Sequence, residues 1–257
     1  MPLNLRADGR PLRIGHKGAA ALEPENTLRS LRRAVELGCD LVEFDVLDLH
    51  DGTLVLAHSD DLLEVSHGAV AGSVRQLSLA GLRAVAPELS TFDEALEQLS
   101  GLGGVGLQVD LKSHGCEAAV AAAIRRHGLV ERTVVSSCLA SSLQKLAVAE
   151  PGIARGFTYP FDRHGLSQRR ALSPLTAALL LGLRRALPRR IAAMLARVRA
   201  SAAVLNHAVV SGAAVERAHA YGAAVLCWTV DDEHVLRRVL AAGVDGVITN
   251  DPRILAD

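Results

Sequence analysis

Two histidines and two acidic residues near the start of the chain are of types that can perform acid–base and metal chemistry. Glu43 and Asp45 alternate within an apolar stretch, while His16 precedes this stretch and His58 follows it. Side chains alternate between the two faces of an extended strand, so Glu43 and Asp45 point the same way. Carboxylate oxygens are preferred ligands of Mg²⁺ and Ca²⁺. Such a set of residues suits metal-assisted chemistry on a phosphate ester.

A strand, a helix and a second strand are predicted to position these groups. The first strand ends at His16, and the Pro-Glu-Asn-Thr sequence at 24–27 is typical of a helix start. Either Asn26 or Thr27 can supply the capping oxygen. Apolar residues then recur at helical spacing before the second strand, residues 41–46, which carries the acidic pair.

The same alternation of strand and helix continues to the end of the 257-residue chain. It predicts an α/β protein, a single (β/α)8 TIM barrel over residues 1–257. A doubly wound open sheet is the alternative, but it should carry a Gly-rich phosphate turn after the first strand, and residues 15–18 are not one. The predicted strands end near His16, Val46, Lys112, Ser137, Thr158, Leu205, Val230 and Thr249.

Polar residues from distant parts of the chain fall at or near the predicted strand ends. In a barrel of this kind the carboxyl ends of the strands surround one mouth, where the chemistry takes place. We therefore expect these side chains to converge. They are His16, Glu43, Asp45, Asp110, Lys112, Ser136, Ser137 and Trp228.

Several longer motifs resemble those of the glycerophosphodiester phosphodiesterase family. This resemblance implies a TIM barrel that hydrolyses glycerophosphodiesters to glycerol 3-phosphate and an alcohol. It extends from residue 12 to the C-terminus and is weakest in the middle third. The matching segments are His16-Lys17-Gly18, Pro24-Glu25-Asn26-Thr27, Glu43-Phe44-Asp45-Val46, Asp51-Gly52, His58, Asp110-Leu111-Lys112, Cys227-Trp228-Thr229-Val230 and residues 243–252.

The resemblance also implies roles for individual residues. Glu43, Asp45 and Asp110 are expected to hold a divalent metal, either Mg²⁺ or Ca²⁺. His16 and His58 are expected to act as general acid and base, which suits side chains that titrate near neutral pH.

Three further residues are expected to contact the substrate. Lys17 and Lys112 are predicted to bind its phosphate, and Trp228 to line its pocket, with core packing as the alternative for Trp228.

Some positions depart from the family's usual residues. Lys17 stands in place of an arginine and loses the bidentate grip on phosphate. Asp110 stands in place of a glutamate and is one methylene shorter. Ser59 replaces an aspartate that could orient His58, although Asp60 and Asp61 are close enough in sequence to substitute.

Two insertions are predicted in the barrel, a small loop insertion near 59–89 and a basic helical insertion near 163–199. The second contains nine arginines and no acidic residue, although the whole chain carries no net charge. We expect it to form two short amphipathic helices after the fifth strand, one around 175–183 and one over 191–198, with Pro188 between them. They could lie on an anionic membrane surface or form a lid over an acyl chain, and an arginine-rich solvated face is the alternative.

Composition limits the remaining possibilities. No stretch is long and apolar enough to span a bilayer, and no N-terminal leader is expected. Four widely spaced cysteines predict free thiols and a cytoplasmic protein, which could be peripheral at the membrane through 163–199. Only 3% of residues are aromatic, which disfavours nucleic acid as a partner. The sequence does not indicate an oligomeric state.

Two alternative functions stay open at this level. One is a lysophospholipase D type of hydrolase acting on lysophospholipids, which the insertion near 163–199 would serve. The other is a non-catalytic barrel that binds phosphodiesters or lipid headgroups, suggested by the departures at Lys17, Asp110 and Ser59.

Overall fold

Strands and helices alternate through the computed structural model, which describes residues 3–6, 9–161 and 173–255. Within those residues there are nine strands and nine α-helices. The strands are β1 (Leu12–Gly15), β2 (Leu41–Asp48), β3 (Leu54–Leu56), β4 (Gly106–Leu111), β5 (Thr133–Ser137), β6 (Ala154–Tyr159), β7 (Ala202–Asn206), β8 (Ala224–Trp228) and β9 (Gly246–Thr249). The helices are α1 (Leu28–Glu36), α2 (Leu62–Val65), α3 (Leu79–Val85), α4 (Phe92–Gly101), α5 (Glu117–Arg126), α6 (Ala140–Ala149), α7 (Ser173–Val198), α8 (Gly212–Tyr221) and α9 (Glu233–Ala241).

Eight of the described strands are parallel and close into a barrel. β1 pairs with β9 on one side and with β2 on the other, which joins the two ends of the chain. The short strand β3 lies outside this ring and pairs antiparallel with β2. The (β/α)8 TIM barrel predicted from the sequence is confirmed, and the carboxyl ends of its strands form one mouth.

Apolar side chains fill both faces of the strands, as expected for a parallel sheet covered by helices. Inside the barrel a small cluster contains Ile14, Leu41, Val134, Leu226 and Ile248, all buried. A larger cluster between strands and helices is built mostly from alanine, valine and leucine. These layers leave the polar strand ends as the part of the barrel available for chemistry.

The insertion predicted near 59–89 is more than a loop. It contains α2, a 3₁₀ turn at Val74–Gln76 and α3. Buried side chains of this segment pack with the β2 and β3 hairpin into a cluster of their own, which includes Val55, Leu62, Val74 and Leu82. The insertion therefore has a core that can hold the residues after β3 at the barrel mouth.

The two short helices expected within 163–199 are instead one helix over the described part, α7, and residues 163–172 lie outside the described residues. The prediction divided the segment at Pro188, because proline lacks an amide hydrogen and usually kinks a helix. The helix continues through Pro188, while Leu187, Ile191 and Leu195 bury one stripe against the barrel. Burial of that stripe explains why the helix is not divided.

Within the described residues, no helix has the length and apolar character that crossing a membrane requires.

Candidate active site

A cavity of about 280 Å³ opens at the mouth of the barrel. It brings together residues from β1, β2, β4 and β8 with His58, which follows β3. Of the eight predicted site residues, seven line this cavity, and Asp45 is buried beside Lys112. The seven are His16, Lys17, Glu43, His58, Asp110, Lys112 and Trp228.

His16 is held in one orientation by residues at the far end of the chain. Its Nδ1 lies 2.7 Å from Oδ1 of Asn250, and the Nδ2 of Asn250 donates to Asp231 at 2.6 Å. The bond to Asp231 fixes the Asn250 amide, so Oδ1 accepts a hydrogen bond from His16 Nδ1. The other ring nitrogen, Nε2, is then the basic one and lies 3.9 Å from Glu43 Oε2.

Burial lowers the pKa of His16, and the nearby Asp45 carboxylate counters this only in part. A neutral imidazole with a free Nε2 is the form that can accept a proton. Nε2 of His16 is therefore able to accept a proton near neutral pH.

His58 is oriented by Glu64. Its Nδ1 lies 3.1 Å from Glu64 Oε1, and the hydroxyl of Ser59 donates to Glu64 Oε2 at 2.5 Å. These hydrogen bonds, with the charge of His58, lower the pKa of Glu64 to about 2 despite its partial burial. An ionised carboxylate thus holds Nδ1 of His58, and Glu64 does not engage the other ring nitrogen.

The expectation that Asp60 or Asp61 takes over the role lost at Ser59 is wrong. Asp60 accepts hydrogen bonds from the Ser73 hydroxyl and the Arg75 amide, and Asp61 caps the start of α2. Glu64 is brought to His58 because α2 turns it back toward the barrel. Ser59 contributes to the same arrangement by supporting the carboxylate.

Lys112 lies among the three carboxylates predicted to bind a metal. Its Nζ is 2.6 Å from Asp110 Oδ2 and 2.9 Å from Asp45 Oδ1. Burial opposes the charged form, but Asp110, Asp45 and Glu43 outweigh it and raise the pKa of Lys112 well above its usual value. One ammonium group therefore serves several negative groups.

The carboxylate cluster still carries an excess of negative charge. Burial, together with the charges of Asp45 and Asp110, raises the pKa of Glu43 well above its usual value. Burial acts the same way on Asp45, but Lys112, His58 and Lys17 outweigh it and lower its pKa. Glu43 is thus the carboxylate whose negative charge is least compensated.

Carboxylate oxygens, as in Glu43, Asp45 and Asp110, are the donors that a hard divalent cation prefers. Asp45 Oδ1 is buried and has no hydrogen bond of good geometry among the described residues, even though Lys112 is near. As the side chains stand, no three acidic, histidine or cysteine residues of the described segments are close enough to enclose a metal. The Lys112 ammonium lies 2.9 Å from Asp45 Oδ1 and 2.6 Å from Asp110 Oδ2, where a cation would compete with it.

Lys17 is also partly engaged. Its Nζ lies 2.8 Å from Glu25 Oε1 and 3.9 Å from Glu64 Oε1. Burial opposes its charge, but Asp45, Glu25 and Glu64 outweigh it and raise the pKa of Lys17. Lys17 is therefore a cation at the edge of the mouth, shared between two acidic side chains.

Asn26 has a positioning function that sequence reasoning missed. Its side chain both donates to Asp45 Oδ2 at 2.9 Å and accepts from the Asp45 amide at 3.0 Å. Thr27, not Asn26, caps α1. The motif at 24–27 contains Asn26, but it predicted only a helix cap there and not the contact with Asp45.

Asp110 is fixed by neighbouring strands. Its Oδ1 accepts from the Ser136 hydroxyl at 2.6 Å and from the Thr158 hydroxyl at 3.3 Å. Ser136 had been noted only as a strand end, and Thr158 only as a boundary. Both restrain the carboxylate on the side opposite Lys112.

Trp228 combines the two roles that the sequence left open. Its indole nitrogen donates to the Val204 carbonyl at 3.2 Å, and its ring packs against the cluster inside the barrel. It also lines the mouth cavity and an adjoining groove of about 740 Å³. The groove extends from His58 past Leu139 and Phe161.

The fold and this arrangement define a class of protein. It is an α/β barrel that gathers two histidines, three carboxylates and two lysines around its mouth. Imidazole, carboxylate and ammonium groups around one cavity suit the cleavage of phosphate esters.

Comparison with known proteins identifies the family. The model of the glycerophosphoryl diester phosphodiesterase family matches residues 16–254. The chain belongs to this family, as the sequence motifs predicted.

Full-length relatives agree with this assignment. The chain is 27% identical to the glycerophosphodiester phosphodiesterase of Caldanaerobacter subterraneus subsp. tengcongensis, with 96% of each protein covered. It is 26% identical to a glycerophosphodiester phosphodiesterase of Bacillus subtilis, with 97% of this chain and 86% of the relative covered.

Solved structures share the fold. The glycerophosphodiester phosphodiesterase of Thermotoga maritima superposes with a TM-score of 0.74 at 21% identity, covering 96% of this chain and 97% of the other. A phosphodiesterase of Oleispira antarctica, solved in complex with sn-glycerol-3-phosphate, gives 0.72 at 24% identity with 96% of each chain covered.

Proposed function

We propose that this enzyme is a metal-dependent phosphodiesterase that hydrolyses glycerophosphodiesters to glycerol 3-phosphate and an alcohol. The observation that carries the proposal is the convergence of His16 and His58, each held by its own partner, on one cavity with three carboxylates and two lysines. The family assignment and the glycerol-3-phosphate complex of the Oleispira antarctica phosphodiesterase support the choice of substrate.

The two histidines divide the proton transfers. His16 Nε2 accepts a proton from the attacking water, because Asn250 already occupies Nδ1. The new bond to phosphorus forms as the bond to the departing alcohol breaks. His58, held through Nδ1 by Glu64, gives a proton to the departing oxygen.

Glu43, Asp45 and Asp110 would hold the divalent cation, Mg²⁺ or Ca²⁺. When bound, the cation supplies positive charge opposite the non-bridging phosphate oxygens. Lys112, once released from Asp45 and Asp110, and Lys17 are the cationic side chains available to the phosphate.

The metal set can be tested without measuring activity. Titration calorimetry of the chelated protein with Mg²⁺ and with Ca²⁺ should show one site. Asp45→Asn should abolish it, while Asp93→Asn, an exposed carboxylate on α4, should leave it unchanged. Equal heats of metal binding for wild type and Asp45→Asn would show that Asp45 is not a metal ligand.

The substrate is tested by assaying glycerol 3-phosphate release from glycerophosphocholine and glycerophosphoethanolamine. Chelation and His16→Ala should each abolish release. If the metal-loaded protein leaves both compounds intact under a range of metals and pH values, the proposed hydrolysis is wrong.

The groove favours a second candidate substrate. With about 740 Å³ next to a mouth of about 280 Å³, the site has room beyond a glycerol and a small headgroup. Leu47, Leu139 and Phe161 line the groove and could contact an acyl chain, as in a lysophospholipase D. Faster turnover of lysophosphatidylcholine than of glycerophosphocholine would favour it, and no turnover of the lipid would exclude it.

A further inference from the structure

The first three turns of α7 form an exposed, uncharged apolar tip, defined here as residues 175–183. No charged side chain occurs in that range. Leu175, Leu179 and Leu181 are 69%, 51% and 46% exposed. By contrast, Leu187, Ile191 and Leu195 of the same helix are buried against the barrel. Leu180 and Leu183 of the tip are partly buried against the core, whereas Leu175, Leu179 and Leu181 remain in water beyond the anchored turns.

The tip lies on the catalytic side of the barrel. Each helix of a (β/α)8 barrel runs back along the strand before it, so the start of α7 stands near the carboxyl end of β6. Phe161 follows β6, is 54% exposed and lines the same groove as His58. The exposed apolar side chains of this region thus flank the opening used by the substrate.

Four arginines follow the tip and form a basic collar, defined as Arg184, Arg185, Arg189 and Arg190. The helix contains no acidic residue that could neutralise them. Burial raises the pKa of Tyr159, at the end of β6, and the nearby charge of Arg190, one of the collar, acts against that rise. An apolar tip with a cationic collar matches the profile of a negatively charged bilayer surface.

The length of the tip agrees with insertion into one leaflet of a bilayer. The rise from Leu175 to the first arginine of the collar is about 14 Å at 1.5 Å per residue. One leaflet of hydrocarbon is about 15 Å thick, half of a typical core. A tip that enters a leaflet obliquely would leave the arginines at the level of the lipid phosphates.

A second copy of the chain fits this surface less well. In a symmetric dimer the same patch meets itself, so one interface would contain two basic collars. Like charges brought together in this way repel, whereas anionic lipids attract every arginine of the collar.

We propose that the apolar tip and basic collar of α7 bind an anionic membrane surface and turn the catalytic mouth toward the bilayer. This property goes beyond the proposed hydrolysis and does not depend on it, since binding can be measured with inactive protein.

Vesicle flotation tests the proposal. Full-length protein should float with vesicles of equal parts phosphatidylcholine and phosphatidylglycerol, and not with phosphatidylcholine alone. Added salt should release it, because the attraction of the collar is screened. Arg184→Gln with Arg185→Gln should lower the partition coefficient about thirtyfold, since each basic residue near the surface is worth about 1 kcal/mol. Leu175→Ser with Leu179→Ser should also release the protein.

Matched variants elsewhere on the surface provide the controls. Val148→Ser removes an exposed apolar side chain of α6, 84% exposed, and should leave flotation unchanged. Arg126→Gln with Arg237→Gln removes two exposed arginines of α5 and α9 and should have little effect beyond loss of net charge. Circular dichroism checks that every variant is folded.

Three results would overturn the proposal. They are the absence of flotation with anionic vesicles at low salt, equal loss with control and collar variants, and a dimer in light scattering that disappears when Leu175 and Leu179 become serine. The last result would identify a second copy as the occupant.

Discussion

Glu64 orients His58, for which we propose an acid–base role, although no sequence motif marks Glu64. Its carboxylate holds His58 Nδ1 and accepts the Ser59 hydroxyl, while a more distant contact reaches Lys17. A histidine held through one nitrogen has its other nitrogen presented in a defined direction, which is what proton transfer requires.

Replacing Glu64 tests this role. Glu64→Gln should lower kcat by roughly tenfold or more with little change in KM, because acid–base catalysis contributes roughly 10²–10⁴-fold and orientation is part of it. Asp60→Asn is the matched control, since Asp60 bonds to Ser73 and Arg75 instead. Steady-state kinetics measure both. A change confined to KM would show that Glu64 acts on substrate binding.

The lowered pKa of Glu64 predicts how the stability of the protein depends on pH. Its pKa of about 2 in the folded protein lies below the usual glutamate value, so the ionised form stabilises the fold above the unfolded pKa. This contribution is lost as pH falls from the usual value toward about 2. The difference in free energy of unfolding between wild type and Glu64→Gln should therefore shrink over that window, as measured by urea denaturation. A difference that stays constant with pH would contradict the depressed pKa.

At the scale of elements, the turn between β1 and α1 requires glycine at position 18. Gly18 has φ +87°, and a Cβ there would lie 2.4 Å from the Ser30 carbonyl carbon. Its amide donates to the Glu43 carbonyl at 3.0 Å, which ties the turn to β2. Close packing of this turn against α1 fixes the backbone beside His16 and Lys17.

Gly18→Ala and Gly38→Ala form a matched pair. Gly38 has φ +77°, but nothing lies within 4 Å of an added Cβ. The unfavourable backbone conformation costs an alanine about 1–2 kcal/mol at either position. The clash should make Gly18→Ala about 1–3 kcal/mol more destabilising than Gly38→Ala, as measured by chemical denaturation. Equal losses of unfolding free energy in the two variants would mean that α1 moves away from the added methyl group at no energetic cost.

The sequence predicted the regular elements better than the contacts between them. The eight barrel strands were all placed, each ending within two residues of its predicted end. β3 was missed because Leu54–Leu56 is too short to show a period. The division of α7 at Pro188 was wrong because burial of its apolar stripe outweighs a local preference.

The whole molecule explains why part of the site escaped prediction. His16 and Asn250 are 234 positions apart and meet only because β1 pairs with β9 when the barrel closes. No local sequence feature around His16 or Asn250 predicts that contact. Motifs marked Glu43 and Asp45 as site residues, whereas the contacts that Asn26, Glu64 and Asn250 make with Asp45, His58 and His16 could be read only from the folded chain.

The central claim is that the two histidines at the mouth cleave a glycerophosphodiester. Phosphorus NMR of glycerophosphocholine with the metal-loaded protein tests it most directly. The diester signal should be replaced by that of glycerol 3-phosphate, and His16→Ala and His58→Ala should each lower kcat roughly a hundredfold or more. Both variants should still bind the metal in calorimetry. An unchanged diester, a different phosphorus product, or wild-type turnover by either variant would contradict the account.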